Sequence, residues 1–371
     1  MKIGIDAKWF FSGPESGKVV VTNLVENLIK INKKNQLYIF LDKKYRHAGF
    51  PFKNENVKIV YIWRGINLFS NLFVIPYHAK TLGIEVVLFQ YFISISSKFE
   101  NISFIHDIKF LTNPEYYTIR ERLYLFPLKY LIPKSRLIFT VSEEEKKRIV
   151  KYFNLNHDLV KVIYHGVNNI FKPLEQFPED LIYKVKKKNN LPENYLLYVG
   201  RLNIRKNLLN LIKAVHSLEN KDIPLVMAGK KDWKFHEVKK LIDRLNLNTR
   251  IKFLGFKEGE ELACIYALST IFCFPSLVES FGLPAAEAMA AGIPAVVSNT
   301  TSLPEICSDA GSYADPNRPE DIASVVDELL RNKNLYNEKK RLGIERAKLF
   351  KWETAAEKIL YHIENIGKNS N

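Results

Sequence analysis

Pro275-Ser276-Leu277-Val278-Glu279-Ser280-Phe281-Gly282-Leu283-Pro284-Ala285-Ala286-Glu287 holds two carboxylates with seven residues between them, on either side of a Phe-Gly-Leu-Pro turn. Before it, Ile271-Phe272-Cys273-Phe274 reads as a short buried strand; after it, Ala285 to Ala291 reads as a helix. Pro284 suits the start of that helix, because its ring fixes a helical φ and its missing N–H would go unpaired there. Gly282 lets backbone come close to a ligand that a side chain would block. The leading N–H groups of such a helix attract an anion. Glu279 then belongs to the loop facing the anion, and Glu287 lies about a turn inside the helix.

Outward from this stretch, strands and helices alternate in the manner of parallel sheets. In the N-terminal half, Lys2–Asp6, Gln36–Leu41, Val57–Trp63, Val86–Phe89, Ser103–His106 and Leu137–Val141 read as strands, and the segment from Val160–Tyr164 to Phe171-Lys172-Pro173 closes the first domain. Val20, Val21, Leu24, Val25 and Leu28 recur at helical spacing, and Ser142 with Glu145 predicts a capping box opening a helix that runs to about Tyr152. A second alternation starts near Tyr195, with strands at Tyr195–Gly200, Pro224–Ala228, Ile251–Leu254, Ile271–Phe274 and Ala295–Val297. A last helix covers Trp352 to Ile366. The boundaries read from this pattern are 1–172 for a first Rossmann-like domain, 173–350 for a second, and 351–371 for a terminal helix, with disorder expected only in the last few residues. Each domain is a doubly wound sheet, whose ligands belong at the carboxyl ends of the strands.

Bulk properties agree. A chain of 371 residues is too long for one ordinary core, and 47% hydrophobic with 26% charged residues is the balance of a soluble globular enzyme. Cys264, Cys273 and Cys307 are few, odd in number and without metal-ligand spacing, which predicts a reduced cytosolic protein with no zinc site. Met1-Lys2-Ile3-Gly4-Ile5-Asp6 reads as a strand rather than a signal peptide. No run reaches the roughly 18 apolar residues of a spanning helix. The net charge of +15 comes from scattered lysines with short clusters such as Lys43-Lys44 and Lys186-Lys187-Lys188. Scattered charge is a solvated surface more often than a nucleic-acid footprint, so nucleic acid is not an expected partner. Contact with an anionic membrane face suits the charge better.

The two-acid stretch resembles the Glu-x7-Glu signature of the retaining glycosyltransferases of family 4, the group 1 glycosyltransferases. The resemblance continues through Ala288-Met289-Ala290-Ala291-Gly292-Ile293-Pro294-Ala295-Val296-Val297-Ser298 and Ser302-Leu303-Pro304-Glu305-Ile306. Upstream it takes in Tyr198-Val199-Gly200-Arg201, Arg205-Lys206-Asn207 and Phe253-Leu254-Gly255-Phe256. It is strong from about Tyr195 to Glu320 and looser across the N-terminal half. It implies the α/β GT-B fold: two doubly wound Rossmann-like domains facing across a cleft, acceptor on the first, donor nucleotide on the second, and the terminal helix crossing back to the first.

Roles follow by position. Arg201 and Lys206 match the family's phosphate-binding cations, which stabilise a departing diphosphate without needing a metal; Arg205 shows that bare charge in such a loop is unspecific. Glu287 matches the acid that accepts hydrogen bonds from the nucleotide ribose, and Glu279 the one that contacts the transferred sugar. The N–H groups of Phe281, Gly282 and Leu283 are expected at the sugar hydroxyls or phosphate, although Ser280 stands where the family commonly has glycine. Gly255 and Phe256 match the segment that grips the base, with a simple turn and a core Phe256 as the plain alternative. His106 matches a histidine facing the sugar, against a strand-end histidine held by packing, while Asp107 is expected to orient its loop. The Ser12-Gly13-Pro14…Ser16-Gly17 loop matches a flexible loop near the donor phosphate; Gly17 is its donor-side glycine, and Val19 occupies the place of a second, with Lys18 as a substitute charge. The run Tyr116-Tyr117…Arg120-Glu121-Arg122-Leu123-Tyr124-Leu125-Phe126 is read as core or acceptor lining rather than as a membrane-inserting segment.

The reading that results is a retaining hexosyltransferase, mannose first, acting from a nucleoside diphosphate sugar on a glycan or lipid-linked saccharide hydroxyl. It has no metal and no cofactor beyond the sugar nucleotide as co-substrate. Its expected place is the cytoplasm, peripheral at the inner face of the membrane. Mannose rests on the likeness of the Gly-Ile-Asp-Ala start and the Ser-Leu-Pro-Glu segment to bacterial polysaccharide mannosyltransferases. A glycoside hydrolase pair would need no phosphate cradle. A sugar nucleotide epimerase of the same fold would need a further acid/base pair, and a non-catalytic nucleotide-binding subunit would not need all four of Arg201, Lys206, Glu279 and Glu287.

Overall fold

A computed structural model of the chain describes residues 1–368 except 53, 64, 204, 205, 233 and 234, with only the backbone for 367 and 368. The chain divides into two compact units, Met1–Gly166 with Lys351–Asn371, and Val167–Phe350. The first unit ends at Gly166 rather than at 172, and the terminal segment is part of it. Hydrogen bonding supplies the reason for the earlier boundary: the Val167 N–H donates to the Phe350 carbonyl at 2.9 Å, so the chain enters and leaves the second unit at one place. Phe171, inside the sequence-based first domain, packs edge-on against Tyr266 at 5.5 Å within the second unit.

The first unit is built on a seven-stranded parallel sheet in the order β3-β2-β1-β4-β5-β6-β7. Its strands are β1 Lys2–Asp6, β2 Gln36–Asp42, β3 Val57–Ile62, β4 Val86–Gln90, β5 Glu100–Ile105, β6 Leu137–Thr140 and β7 Val160–Val162. The second unit carries six parallel strands in the order β10-β9-β8-β11-β12-β13. These are β8 Leu196–Val199, β9 Leu225–Ala228, β10 Ile251–Gly255, β11 Ile271–Phe274, β12 Ala295–Ser298 and β13 Gly311–Ala314. Strands covered by helices on both faces read as unbroken apolar runs, and Ile271, Phe272, Cys273 and Phe274 are all 0% exposed. The three cysteines are free and buried, and burial pushes the thiols of Cys273 and Cys307 up to about 12.

Each order reverses direction once, between β1 and β4 and between β8 and β11. In a doubly wound sheet the crevice at that reversal is where ligands bind. The segments following β8 and β11 hold Arg201, Lys206, Glu279 and Gly282, so the motif residues of the second unit stand at its switch point.

Three expectations are corrected. Ser16 and Gly17 are not in a loop: the helix Glu15–Ile31 has already begun, and Gly17 is buried in its first turn. The Ser142–Glu145 pair is only half a capping box. Ser142 Oγ accepts from the Glu145 N–H at 3.0 Å, but the Glu145 carboxylate accepts from the Ile108 N–H at 2.7 Å and pairs with Arg148 at 2.6 Å. The reciprocal box is at Thr118 and Glu121, opening the helix Ile119–Leu125. That helix buries none of its residues: Tyr117 and Leu125 of the aromatic and basic run pack against the core, but residues 119–124 are exposed and are not core.

Candidate active site

The second unit gathers its charged residues around the carboxyl ends of β8 and β11. Lys206 Nζ is ion-paired with Glu279 Oε1, the two side chains being 12% and 9% exposed. Glu279 Oε1 also accepts from Ser276 Oγ at 2.6 Å, and the Glu279 N–H donates to Thr301 Oγ1 at 3.1 Å. The ammonium lies 4.9 Å from the centroid of Phe274, the last residue of β11. Asn207, at the start of the helix Leu208–Ser217, donates through Nδ2 to the Pro275 carbonyl at 2.9 Å. The lysine turn is thereby fastened to the loop that carries Glu279.

Arg201 is paired with Asp232 at 2.7 Å, and its side chain is 55% exposed. Exposed pairs are worth only about 0–1 kcal/mol, so this guanidinium can be diverted to a ligand at little cost. Asn203 Nδ2 holds the same Asp232 oxygen at 3.0 Å. Asp232 follows β9 at the same edge of the sheet; sequence reasoning missed it, although its position after a strand's carboxyl end was a usable signal. Arg205 lies outside the described residues.

The glycine turn is as tight as its motif suggests. Gly282 has φ +92°, and a Cβ there would sit 2.5 Å from Leu303 Cδ2. It caps the helix Leu283–Ala290, whose leading N–H groups lack intrahelical acceptors. Ser302 Oγ donates to the Phe281 carbonyl at 3.2 Å, and Ser298 Oγ to that of Ser276 at 2.7 Å, so β12 and the turn after it hold the loop at both ends. Phe281 and Ser280 are buried, Phe281 edge-on to Phe350 at 5.4 Å.

Glu287 accepts a hydrogen bond from the Tyr266 hydroxyl at 3.0 Å. Burial raises its carboxyl to about 8, and the tyrosine hydrogen bond only partly opposes the rise. A row of rings, Tyr266 to Phe272 at 5.4 Å and Phe272 to Phe274 at 5.7 Å, spans from the Glu287 partner to the Lys206 partner. Tyr266 was missed because nothing in the composition of its own helix, Gly259–Ala267, sets it apart.

Gly255 and Phe256 lie farther along the sheet, at the end of β10. Phe256 is 41% exposed with Lys230 Nζ 4.6 Å above its ring, which overturns the core alternative. Gly229, unforeseen, joins this edge to the site: its N–H donates to the Gly255 carbonyl at 2.8 Å, and a Cβ on it would lie 1.8 Å from the Gly200 carbonyl oxygen. Three strand ends thus approach as bare backbone, which no side chain at 229 would permit.

His106 and Gly17 belong to the first unit. His106 follows β5, stacks on Phe104 at 4.7 Å and shares a hydrogen bond between Nε2 and Gln90 Oε1 at 2.9 Å. Burial lowers its imidazole to about 4 against the opposing pull of Asp107, so it is neutral at physiological pH. Trp9, Tyr91 and His165 surround it at ring distances of 6.4, 5.4 and 5.5 Å, and none of them was foreseen. Gln90 Nε2 is buried without a hydrogen-bond partner among the described residues, leaving a donor for a ligand beside the histidine. Asp107 accepts from the Lys109 N–H at 3.3 Å and from Tyr117 Oη at 3.4 Å, contacts that order its own loop. Lys18 is exposed on the first helix.

This arrangement can hold a diphosphate between a guanidinium, an ammonium and a helix start, with one carboxylate beside the ammonium and a second a turn inside the helix. The family model of the group 1 glycosyl transferases matches residues 181–348, the part that contains all of these groups. O-antigen chain mannosyltransferase B of Escherichia coli is 32% identical over 68% of this chain and 67% of its own length. The serotype-specific mannosyltransferase WbdA of the same species is 29% identical over 68% of this chain, which spans only 32% of that longer protein. Sucrose-phosphate synthase of Thermosynechococcus elongatus superposes over 100% of both chains with a TM-score of 0.77 at 19% identity, a likeness of fold alone and that of the GT-B architecture. By sequence, the chain belongs to the group 1 glycosyltransferases.

Proposed function

We propose that the chain is a retaining, metal-independent hexosyltransferase that moves mannose from a nucleoside diphosphate sugar to a hydroxyl of a glycan or lipid-linked saccharide, on the cytoplasmic side of a membrane. The observation that carries this reading is the pairing of Lys206 with Glu279 beside the Gly282 helix start, with Arg201 on the neighbouring strand end. The acceptor oxygen bonds to the anomeric carbon on the face from which the diphosphate leaves. As the carbon–phosphate oxygen bond breaks, the acceptor proton passes to a diphosphate oxygen. Arg201 and Lys206 stabilise the charge that develops there, where preorganised cations act most strongly. Glu279 contacts the sugar, and Glu287, held by Tyr266, accepts from the ribose. The curated mannosyltransferases among its relatives support mannose as the sugar.

The test is a transfer assay with GDP-, UDP-, ADP- and dTDP-sugars, preceded by a thermal-shift panel of the same compounds and run with and without EDTA. Selective stabilisation by GDP-mannose, turnover that survives the chelator, and an α-linked product from an α-linked donor are expected. Stabilisation by no nucleotide would refute the donor site, and loss of turnover with EDTA would refute metal independence.

A further inference from the structure

The first sheet reverses its order between β1 and β4, and three side chains stand at the carboxyl ends of its strands there. Trp9 follows β1, Gln90 ends β4 and His106 follows β5. Parallel pairing sets Gln90 beside Phe104, and His106, two residues on from Phe104, returns to the same face. Directly after Gln90 the backbone turns sharply. Tyr91 has φ +62°, left-handed for a residue with a side chain, and its N–H donates to the Phe104 carbonyl at 3.2 Å. Strained backbone of this kind gathers at functional sites. The turn lays Tyr91 against His106 at 5.4 Å between rings. Trp9 completes the wall, and its indole rests on bare backbone: a Cβ at Gly13 or Gly17 would come within 2.9 or 2.8 Å of it.

Gln90 is 5% exposed, and the two ends of its amide fare differently. Oε1 lies 2.9 Å from His106 Nε2, while Nε2 has no hydrogen-bond partner among the described residues. A buried amide left unpaired lowers stability, so a leucine of similar size would serve packing at least as well. What the amide adds is an acceptor for the ring. A neutral imidazole carries one proton, and a carbonyl oxygen can only accept. The contact therefore keeps the proton on Nε2 and leaves Nδ1 with its lone pair. Asp107, Tyr91 and His165 are the titratable groups around this ring. Burial keeps Tyr91 and His165 uncharged, and burial of the ring itself outweighs the pull of Asp107.

We infer that Gln90 is a positioning residue for sugar transfer: its Oε1 fixes the His106 proton on Nε2, and Nδ1 is thereby presented as an acceptor to a sugar hydroxyl at this switch point. The opposite tautomer would reverse that hydrogen bond. The inference rests on the transfer proposed above and adds to it a residue that no motif marks.

The test is a proton–nitrogen NMR spectrum of the full chain with nitrogen-labelled histidine, taken without substrate, His106 being assigned by its loss in His106→Gln. The Nε2–H tautomer is expected in the wild-type protein, and movement of the proton to Nδ1 in Gln90→Leu. In the same variant kcat/KM should fall by about tenfold, the worth of one hydrogen bond. Its melting temperature and its thermal shift by the donor nucleotide should stay those of the wild type. A rise in KM for donor or for acceptor tells which sugar brings the hydroxyl. Gln90→Glu, the second variant should the first fail to fold, keeps an acceptor and should restore the tautomer. Its carboxylate favours the imidazolium, so turnover should recover only as pH rises, a dependence that a merely structural role does not give. The Nδ1–H tautomer in the wild type, or an unmoved proton in Gln90→Leu, would overturn the inference. So would full turnover in a Gln90→Leu protein whose proton has moved. The spectrum needs no substrate and decides the inference even if the wild type transfers no sugar, an outcome that would count against the proposed transfer instead.

Discussion

Lys206 is paired with Glu279, and a donor diphosphate must compete with that carboxylate for the ammonium. The two residues therefore separate by measurement. Lys206→Ala removes the cation and leaves Glu279 with Ser276 as a hydrogen-bond partner; turnover should fall by about 100-fold, roughly 3 kcal/mol, as for loss of one preorganised donor, and affinity for the free diphosphate should fall too. Glu279→Gln keeps a hydrogen-bonding group but frees the ammonium, so diphosphate affinity should hold or tighten while turnover drops. Calorimetric titration beside a transfer assay reads both, and weaker diphosphate binding in Glu279→Gln would make the acid a positioner of Lys206 instead. A second prediction concerns pH. Glu287, raised to about 8 by burial, favours the folded state below its ordinary 4.5 and loses that contribution as pH climbs to about 8. His106 runs the other way: lowered to about 4 by burial, it favours folding above 6.5 and loses that contribution as pH falls to about 4. The second unit should thus weaken on the alkaline side and the first on the acid side. Melting curves from pH 4 to 8.5 should show Glu287→Gln flattening the alkaline slope and His106→Gln the acid one; parallel profiles would refute both assignments. At this scale the sequence showed Lys206, Glu279 and Glu287 because they belong to a contiguous pattern. It hid Tyr266 and Asp232, which meet the site only through the order of the strands.

Single elements show where local pattern and tertiary context part. Strand β13, Gly311–Ala314, was not foreseen because Gly-Ser-Tyr-Ala lacks a branched apolar run; its place comes from pairing with β12, not from its own propensity. Ser142 and Glu145 have the spacing of a capping box, yet Glu145 is drawn away by the Ile108 N–H and Arg148, a long-range demand that no local rule contains. The helix Ile119–Leu125 is the opposite case. It has no buried residue and too few turns to persist by propensity alone, so its Thr118–Glu121 box carries much of its stability. Thr118→Ala should cost that helix about 1 kcal/mol without moving the global melt. Hydrogen exchange at residues 119–125 should accelerate while the sheet amides keep their protection. Unchanged exchange there would mean that the helix is held by something other than its cap.

For the molecule as a whole, the alternation of strands and helices was enough to give two doubly wound sheets, since parallel strands buried on both faces announce themselves as apolar runs. The boundary between units was displaced because the stretch after Gly166 is held in the second unit by contacts between residues far apart in sequence, the Val167 N–H to the Phe350 carbonyl and Phe171 against Tyr266. Residues 167–350 form one uninterrupted segment whose ends meet, with its own six-stranded sheet and with Arg201, Lys206, Gly255, Glu279 and Glu287 all inside it. The first unit is discontinuous: the helix Trp352–Lys368 closes it, with Asn35 Nδ2 donating to Glu364 at 2.7 Å, Lys30 paired with Glu353 at 2.8 Å, and Trp352 packed on His165 at 5.6 Å. Truncation after Phe350 should therefore damage the first unit alone, baring the helix Glu15–Ile31 that packs against the lost helix. The segment 167–350 expressed by itself should fold, melt cooperatively and bind the same nucleoside diphosphate with affinity within about tenfold, or about 1.4 kcal/mol, of the full chain, while transferring no sugar. Loss of nucleotide binding in a fragment that still melts cooperatively would mean that the donor site draws an essential group from outside residues 167–350.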